Sequence, residues 1–95
     1  MKWLKHDLEK YVEAKEYIDT AVIPVQAFHI SREDQLTKDS FDCEVLSIYA
    51  NEIEKELSGR VLLTPTYTYV KASDLEKEVS RMNEWIAEIK QQPFQ

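Results

Sequence analysis

Two short apolar runs, each free of charge through its centre and each followed by proline, constrain this chain more than any other feature. Thr20-Ala21-Val22-Ile23-Pro24-Val25 carries no ionisable group, and Arg60-Val61-Leu62-Leu63-Thr64 runs into Pro65. A continuous apolar run of this length suits a strand covered on both faces, as in a parallel sheet. Proline has no N–H to donate to a ladder, so regular pairing is expected to stop near Pro24 and Pro65. Parallel strands need a long crossover, and the sequence between the runs supplies a helix. Phe41, Val45, Ile48, Tyr49, Ile53 and Leu57 recur at helical spacing, predicting a helix over 41–57. Gly59, the only glycine of the chain, falls where a helix end favours a left-handed residue. Asp39 or Ser40 is placed to cap the helix start, and the polar stretch 29–39 is predicted as a loop.

A helix is predicted before and after this unit. Leu8, Tyr11, Val12 and Ile18 follow Asp7, which reads as an N-cap for a helix over 8–17. Ser73-Asp74-Leu75-Glu76 has the pattern of a capping box, and Leu75, Val79, Met82, Ile86 and Ile89 form the stripe of the last helix. Thr66-Tyr67-Thr68-Tyr69-Val70 alternates, as an extension of the second strand or a structured loop would. The predicted class is α/β: a small parallel sheet with elements in the order helix, strand, helix, strand, helix. The 95 residues make a single domain, 1–95.

Two five-residue strands offer little cover for three helical stripes. The sheet is therefore expected to belong to something larger. Residues around Trp3, a second copy of the chain, or further sequence of a longer protein would complete it. Trp3 and Trp85 lie beside their helix stripes and are the large residues expected at such a junction.

Charge and cysteine content exclude several classes. The net charge is −6, and residues 31–59 hold three positive and eight negative groups. Such a chain gains little from counterion release, so nucleic acid is not an expected partner. One glycine removes every glycine-rich phosphate loop. A single cysteine, Cys43, cannot close an internal disulfide and points to a cytoplasmic, reducing setting. The longest stretch without acidic or basic groups apart from histidine, Thr20 to Ser31, is too short for a membrane helix of about 20 residues, so no membrane insertion is expected.

Candidate chemistry is sparse. His29, Glu33 and Asp34 are the most compact set of metal-type ligands, and His6, Asp7 and Glu9 the next; a zinc site usually needs three or four ligands, and no metal or other cofactor is expected. Cys43 could pair with His29 or His6 as a nucleophile, but Asp42 and Glu44 flank it and oppose a thiolate, so a buried or half-buried structural cysteine is expected. No catalytic residue is assigned. The acidic residues Asp42, Glu44, Glu52, Glu54 and Glu56 read as a solvated face or as a docking face for a basic partner. Phe28, His29, Tyr67 and Tyr69 follow the two strand-ending prolines. In open α/β sheets ligands bind at that edge, so these four are the expected ligand or partner surface.

Three stretches together resemble a known family: Met1-Lys2-Trp3, the segment from Ala14 through Thr20-Ala21-Val22-Ile23-Pro24, and Gly59-Arg60-Val61-Leu62-Leu63 through Pro65 to Thr68-Tyr69. They resemble the YpiF-like proteins of Bacillus-type Firmicutes, a domain of unknown function. That resemblance implies a longer parent chain and assigns no site residues. Asp19 to Val25 and Val61 to Pro65 are also distantly similar to two strands of creatininase-type amidohydrolases. There the first strand leads into glycines and a Glu-Gln-His-Gly metal motif; here it leads into Gln26-Ala27-Phe28-His29-Ile30, without the glycines or the ligand glutamate. Two functions follow as expectations: a non-enzymatic interaction or regulatory domain, acting on a protein partner or by self-association; or a degenerate creatininase-like hydrolase or small-ligand-binding domain, with its site at the C-terminal ends of the strands.

Overall fold

The fold was described from a computed structural model covering residues 1–71 and 73–94. Helix α1 spans Lys5–Ala14 and runs into a 3-10 turn, Lys15–Tyr17. Strands β1 (Thr20–Val22) and β2 (Val25–Phe28) follow. A second 3-10 turn, Glu33–Gln35, leads into α2 (Leu36–Glu56). Strands β3 (Val61–Leu63) and β4 (Tyr67–Val70) precede α3 (Leu75–Ile89). β1 pairs with β3 and β2 with β4, both parallel, on either side of α2. The chain is thus α/β with parallel strands joined through α2, as the two apolar runs predict. The predicted order gains two strands: pairing pauses at Pro24 and Pro65 and then resumes. Gln26–Phe28 and Tyr67–Val70 are strand, and the loop before α2 is shorter than predicted.

The two pairs form one broken ribbon. Thr20 lies opposite Val61 and Val25 opposite Tyr67, so the spacing lengthens by one residue across the prolines. Bonds bridge the gap: the Thr64 N–H donates to the Val22 carbonyl at 3.0 Å and the Tyr67 N–H to the Pro24 carbonyl at 2.8 Å. One extra residue against the partner strand is a β-bulge, here beside Pro65, whose missing N–H costs the ladder least at such a point. On the outer side of β3, the Leu63 N–H donates to the Met1 carbonyl at 2.7 Å. Trp3 itself lies in a bend, so this pairing is confined to Met1.

α2 covers one face of the ribbon; α1 and α3 share the other. On the α1 side Tyr11, Ile18 and Leu62 are buried together, with Met1, Leu8 and Phe94 packed against them. The Tyr11 ring stacks on Phe94 at 6.2 Å, and its hydroxyl donates to Gln92 Oε1 at 3.0 Å.

The helix details correct several expectations. α2 does not rest on its predicted stripe: Phe41, Ile48, Tyr49, Ile53 and Leu57 are exposed, while Asp39 and Ala50 are buried and Cys43 and Leu46 half-buried. The rotation brings Asp39 against Lys71 and His29. Small or medium side chains on that face let the helix lie close to the ribbon. Asp39 is therefore a buried residue inside α2 and not its cap, and the Ser40 hydroxyl donates to the Thr37 carbonyl. Asp7 lies within α1, accepting from the Lys2 N–H at 2.8 Å. The cap of α3 is Asp74, whose Oδ1 accepts from the Glu76 N–H at 2.9 Å. Ser73 is drawn away from capping because its hydroxyl donates to the buried Glu78 carboxylate at 2.6 Å, a stronger acceptor than a neutral one. Gly59, at φ +90°, occupies the left-handed position predicted for it.

Much apolar surface stays uncovered. Among the described residues fifteen large hydrophobic side chains are exposed, against five buried ones and Ala50. The radius of gyration is 15.2 Å, where a compact domain of this size has about 13 Å.

Candidate functional site

Side chains alternate across a strand, so each residue's parity decides which helix it faces. The four residues singled out at the strand ends divide accordingly. Phe28 and His29 line a cleft with α2. Tyr67 and Tyr69 face α3, beside Val79 and Met82. The structure thus gathers Phe28 and His29 in one place and the two tyrosines in another.

The α3 side is a closed polar cluster around Glu78, which is buried. The Tyr67 hydroxyl donates to Glu78 Oε2. Ser73 and Arg81 both donate to Oε1, at 2.6 and 2.8 Å. The bonds from Ser73 and Tyr67, with the Arg81 charge, hold the Glu78 carboxyl below the ordinary glutamate value. The same bond to Glu78 pushes the Tyr67 phenol up. Tyr67 also stands edge-on to Trp85 at 5.1 Å. Each oxygen of this carboxylate is engaged, and the arrangement reads as a structural one.

The α2 side is different. A cleft of about 330 Å³ is lined by Phe28, His29, Leu36, Asp39, Cys43 and Thr68, among others. Three elements supply its polar core. His29 is the first residue after β2. Lys71 is the first after β4, its N–H on the Phe28 carbonyl at 2.8 Å. Asp39 closes the first turn of α2, where the helix dipole favours a carboxylate. Lys71 Nζ donates to Asp39 Oδ1 at 2.8 Å, and His29 Nδ1 lies 2.8 Å from Asp39 Oδ2. The Lys71 bond first, then the nearby Lys71 and His29 charges, hold the Asp39 carboxyl below its ordinary value. The imidazole is 11% exposed and Asp39 6%. The His29–Asp39 contact is close but off the line of a hydrogen bond, and both ring nitrogens and Asp39 Oδ2 are buried without a hydrogen-bond partner. Buried polar atoms in folded proteins are nearly always paired; Nδ1 and Oδ2 at least face each other, so among the described residues Nε2 is the atom that calls for an outside partner.

The Asp39 carboxylate lies against the Nδ1 edge of the ring and leaves Nε2 open to a hydrogen bond from the cleft. His29 also borders a second depression of about 270 Å³, with Ser31, Arg32, Gln35 and Lys71. The charge and hydrogen-bonding groups therefore meet an apolar cleft on one side and a polar one on the other. Among the described residues no three His, Cys, Asp or Glu side chains gather to hold a metal ion. His29 does not assemble with Glu33 and Asp34; Asp34 pairs instead with Arg32 at 3.3 Å. The Lys71 ammonium against Asp39 further opposes a cation there. Cys43 is a half-buried free thiol one helical turn beyond Asp39. Asp39 and Lys71 are the members that sequence reasoning missed as site residues. Neither carried a local signal: Asp39 lies in the first turn of a helix and reads as a cap, and Lys71 is one charge among many until Asp39 is placed beside it. No described helix is long and apolar enough to cross a membrane.

A parallel ribbon sandwiched by helices, with a half-buried histidine beside a buried aspartate at the strand ends, defines an α/β protein with a pre-formed cleft. The chain belongs to the family described as "Protein of unknown function (DUF2487)", whose model matches residues 9–95. It is similar to the uncharacterized protein YpiF of Bacillus subtilis (strain 168), with 36% identity over 75 residues, 79% of this chain and 49% of the relative. The chain spans about half the length of that curated relative. The YpiF-like resemblance is thereby shown; the creatininase-like one is not. No solved structure matches.

Proposed function

We propose that this chain is a non-enzymatic binding domain of regulatory character, with a small-molecule site at the C-terminal ends of β2 and β4. One observation carries the reading: the half-buried His29 ring, set beside Asp39, borders the cleft with its buried Nε2 unpartnered. A ligand with an apolar body on Phe28 and Leu36 and one hydroxyl or carboxyl group on His29 Nε2 satisfies both parts of the site. Tyr67 and Tyr69 support this site from the other face of the ribbon. The free Cys43 thiol supports a cytoplasmic setting, and the acidic chain supports a partner other than nucleic acid. The reading is tested by nuclear magnetic resonance with a set of hydroxyl- and carboxyl-bearing aromatic fragments. Fragments are expected to shift the His29 ring resonances and not those of exposed His6, and to lose this effect in Phe28→Ala. Equal shifts at both histidines, or none, defeat the reading.

A second reading is favoured by α2. Its outward face presents Phe41, Ile48 and Tyr49, at 61%, 61% and 65% exposure. A helix apolar on both sides belongs between two layers. Association with a protein partner or a second copy, extending the parallel sheet unit, would cover it. Sedimentation equilibrium over a hundredfold concentration range tests the self-association form. A monomer throughout, unchanged by Ile48→Ser, removes it.

A further inference from the structure

On the α3 side, beyond the Tyr67 cluster, Trp3, Pro65, Trp85 and Ile89 line a cleft of about 260 Å³ together with Glu84 and Glu88. Trp85 is held in place by its edge-on contact with Tyr67. Trp3, from the segment before α1, is 53% exposed and borders the same space. Glu84 and Glu88 sit one turn apart on α3, both exposed. Among the described residues, neither carboxylate takes part in an ion pair. No lysine, arginine or histidine lines the cleft. Two indoles and the side chains of Glu84 and Glu88 therefore line an almost wholly apolar cleft, with both glutamates exposed.

We propose that this cleft docks an arginine side chain carried on a basic segment of a partner protein. The lining asks for a ligand that is cationic at its tip, flat, and apolar along its stem. An anion is repelled by Glu84 and Glu88. A wholly apolar group would strip water from those carboxylates without replacing it. A guanidinium stacks on an indole face and draws on its quadrupole. Its planar fork of donors serves carboxylates better than the compact ammonium of lysine does. The methylene stem of arginine covers Pro65 and Ile89. The space holds a side chain and not a helix, so the partner contributes one anchor residue from an extended segment. This site lies on the opposite face of the ribbon from His29, and its occupancy is independent of the small-molecule cleft.

The test is a tryptophan-fluorescence titration of the full chain with the capped peptide Ala-Arg-Ala-Arg-Ala. Saturable change is expected, weakened by added salt, and about tenfold weaker with lysine in place of arginine. The double variant Glu84→Gln/Glu88→Gln, whose side chains are exposed and whose thermal melt should match the parent's, is expected to lose binding by at least about tenfold. Trp3→Ala should weaken it comparably. Binding of the arginine peptide that survives Glu84→Gln/Glu88→Gln overturns the proposal, as does no saturable change at millimolar peptide. Equal binding of Ala-Glu-Ala-Glu-Ala overturns the charge argument. Choline binding as tightly as the peptide overturns the assignment to a protein partner.

Discussion

The two faces of the ribbon carry polar clusters made from matching parts, and they differ in one respect. On each face a carboxylate stands fourth in its helix, Asp39 in α2 and Glu78 in α3. Each is buried, and each meets a strand or strand-end residue and a basic side chain. Around Glu78, Tyr67, Ser73 and Arg81 donate to both oxygens. Around Asp39, Lys71 takes one oxygen, and the other faces an imidazole whose two nitrogens lack hydrogen bonds. A saturated cluster fixes geometry and has nothing left to offer. An unsaturated one holds its groups in place at a cost in stability and leaves them open to a ligand. The same local architecture is therefore closed on one side and, on the function proposed above, open to a ligand on the other.

The most severe way to break the comparison is to remove what both clusters share. Leu62 is 4% exposed beneath the ribbon, and Leu62→Ala should cost roughly 2–5 kcal/mol. A urea titration followed by fluorescence checks it. Loss on that scale should disorder both faces together, since β3, which carries Leu62, leads directly into β4, on which both clusters are anchored.

Next in size is the contrast between the carboxylate and the histidine. Glu78→Gln replaces an ionised acceptor of three donors and should lower the thermal midpoint by several degrees. His29→Gln removes no hydrogen bond and should leave the midpoint within about one degree. A histidine variant as damaging as the glutamate one would show that both clusters are structural.

Acid sharpens the contrast further. The folded-state pKa of Glu78 lies below its unfolded value. Its contribution is therefore present above the unfolded value and is lost as pH falls through the folded one. Asp39 is shifted in the same direction. Thermal midpoints should hold from neutral pH to about 5 and drop below about 4. The drop should be shallower in Glu78→Gln. An unaltered drop in that variant would place the acid sensitivity elsewhere.

The smallest effect separates the two residues at the start of α3. Asp74→Ala removes the cap and should cost about 1 kcal/mol in a denaturation experiment. Ser73→Ala acts through Glu78 instead. Its effect should therefore shrink when combined with Glu78→Gln, whereas that of Asp74→Ala should add in full.

What the sequence showed and what it hid follow from range of interaction. The parallel pair joined by a helix was legible because apolar runs and a 3.6-residue period are local signals, and Gly59 marked the end of α2 for the same reason. The resumption of pairing after Pro24 and Pro65 was not. Val25-Gln26-Ala27-Phe28 becomes a strand through its partner, Tyr67–Val70, which lies far away in sequence. The rotation of α2 was hidden likewise. Its most apolar side, through Phe41, Ile48 and Tyr49, looked like the buried one, but Asp39 decides the orientation by meeting Lys71 and His29. Of the site, His29 and Phe28 were legible from their place after a strand-ending proline. Asp39 read as a cap because a carboxylate near a helix start usually is one, and Lys71 carried no local mark at all.

The bulge beside Pro65 works as a reading frame. Three residues, Thr64 to Thr66, span the break between β3 and β4, where Ile23 and Pro24 alone span the break between β1 and β2. A slip of one residue exchanges the faces of a strand. Take out Thr66 while the pairing frame of β4 is held, and Thr68 would replace Tyr67 opposite Val25, on the side of α3. The Glu78 carboxylate would lose its phenol, and Lys71 would stop one residue short of the position from which it reaches Asp39. The length of this segment thus carries more information than its letters. Thr66→Ser should pass unnoticed, while deletion of the same residue should scramble both clusters at once, as a lost nucleotide scrambles a message whose individual words are all still correct.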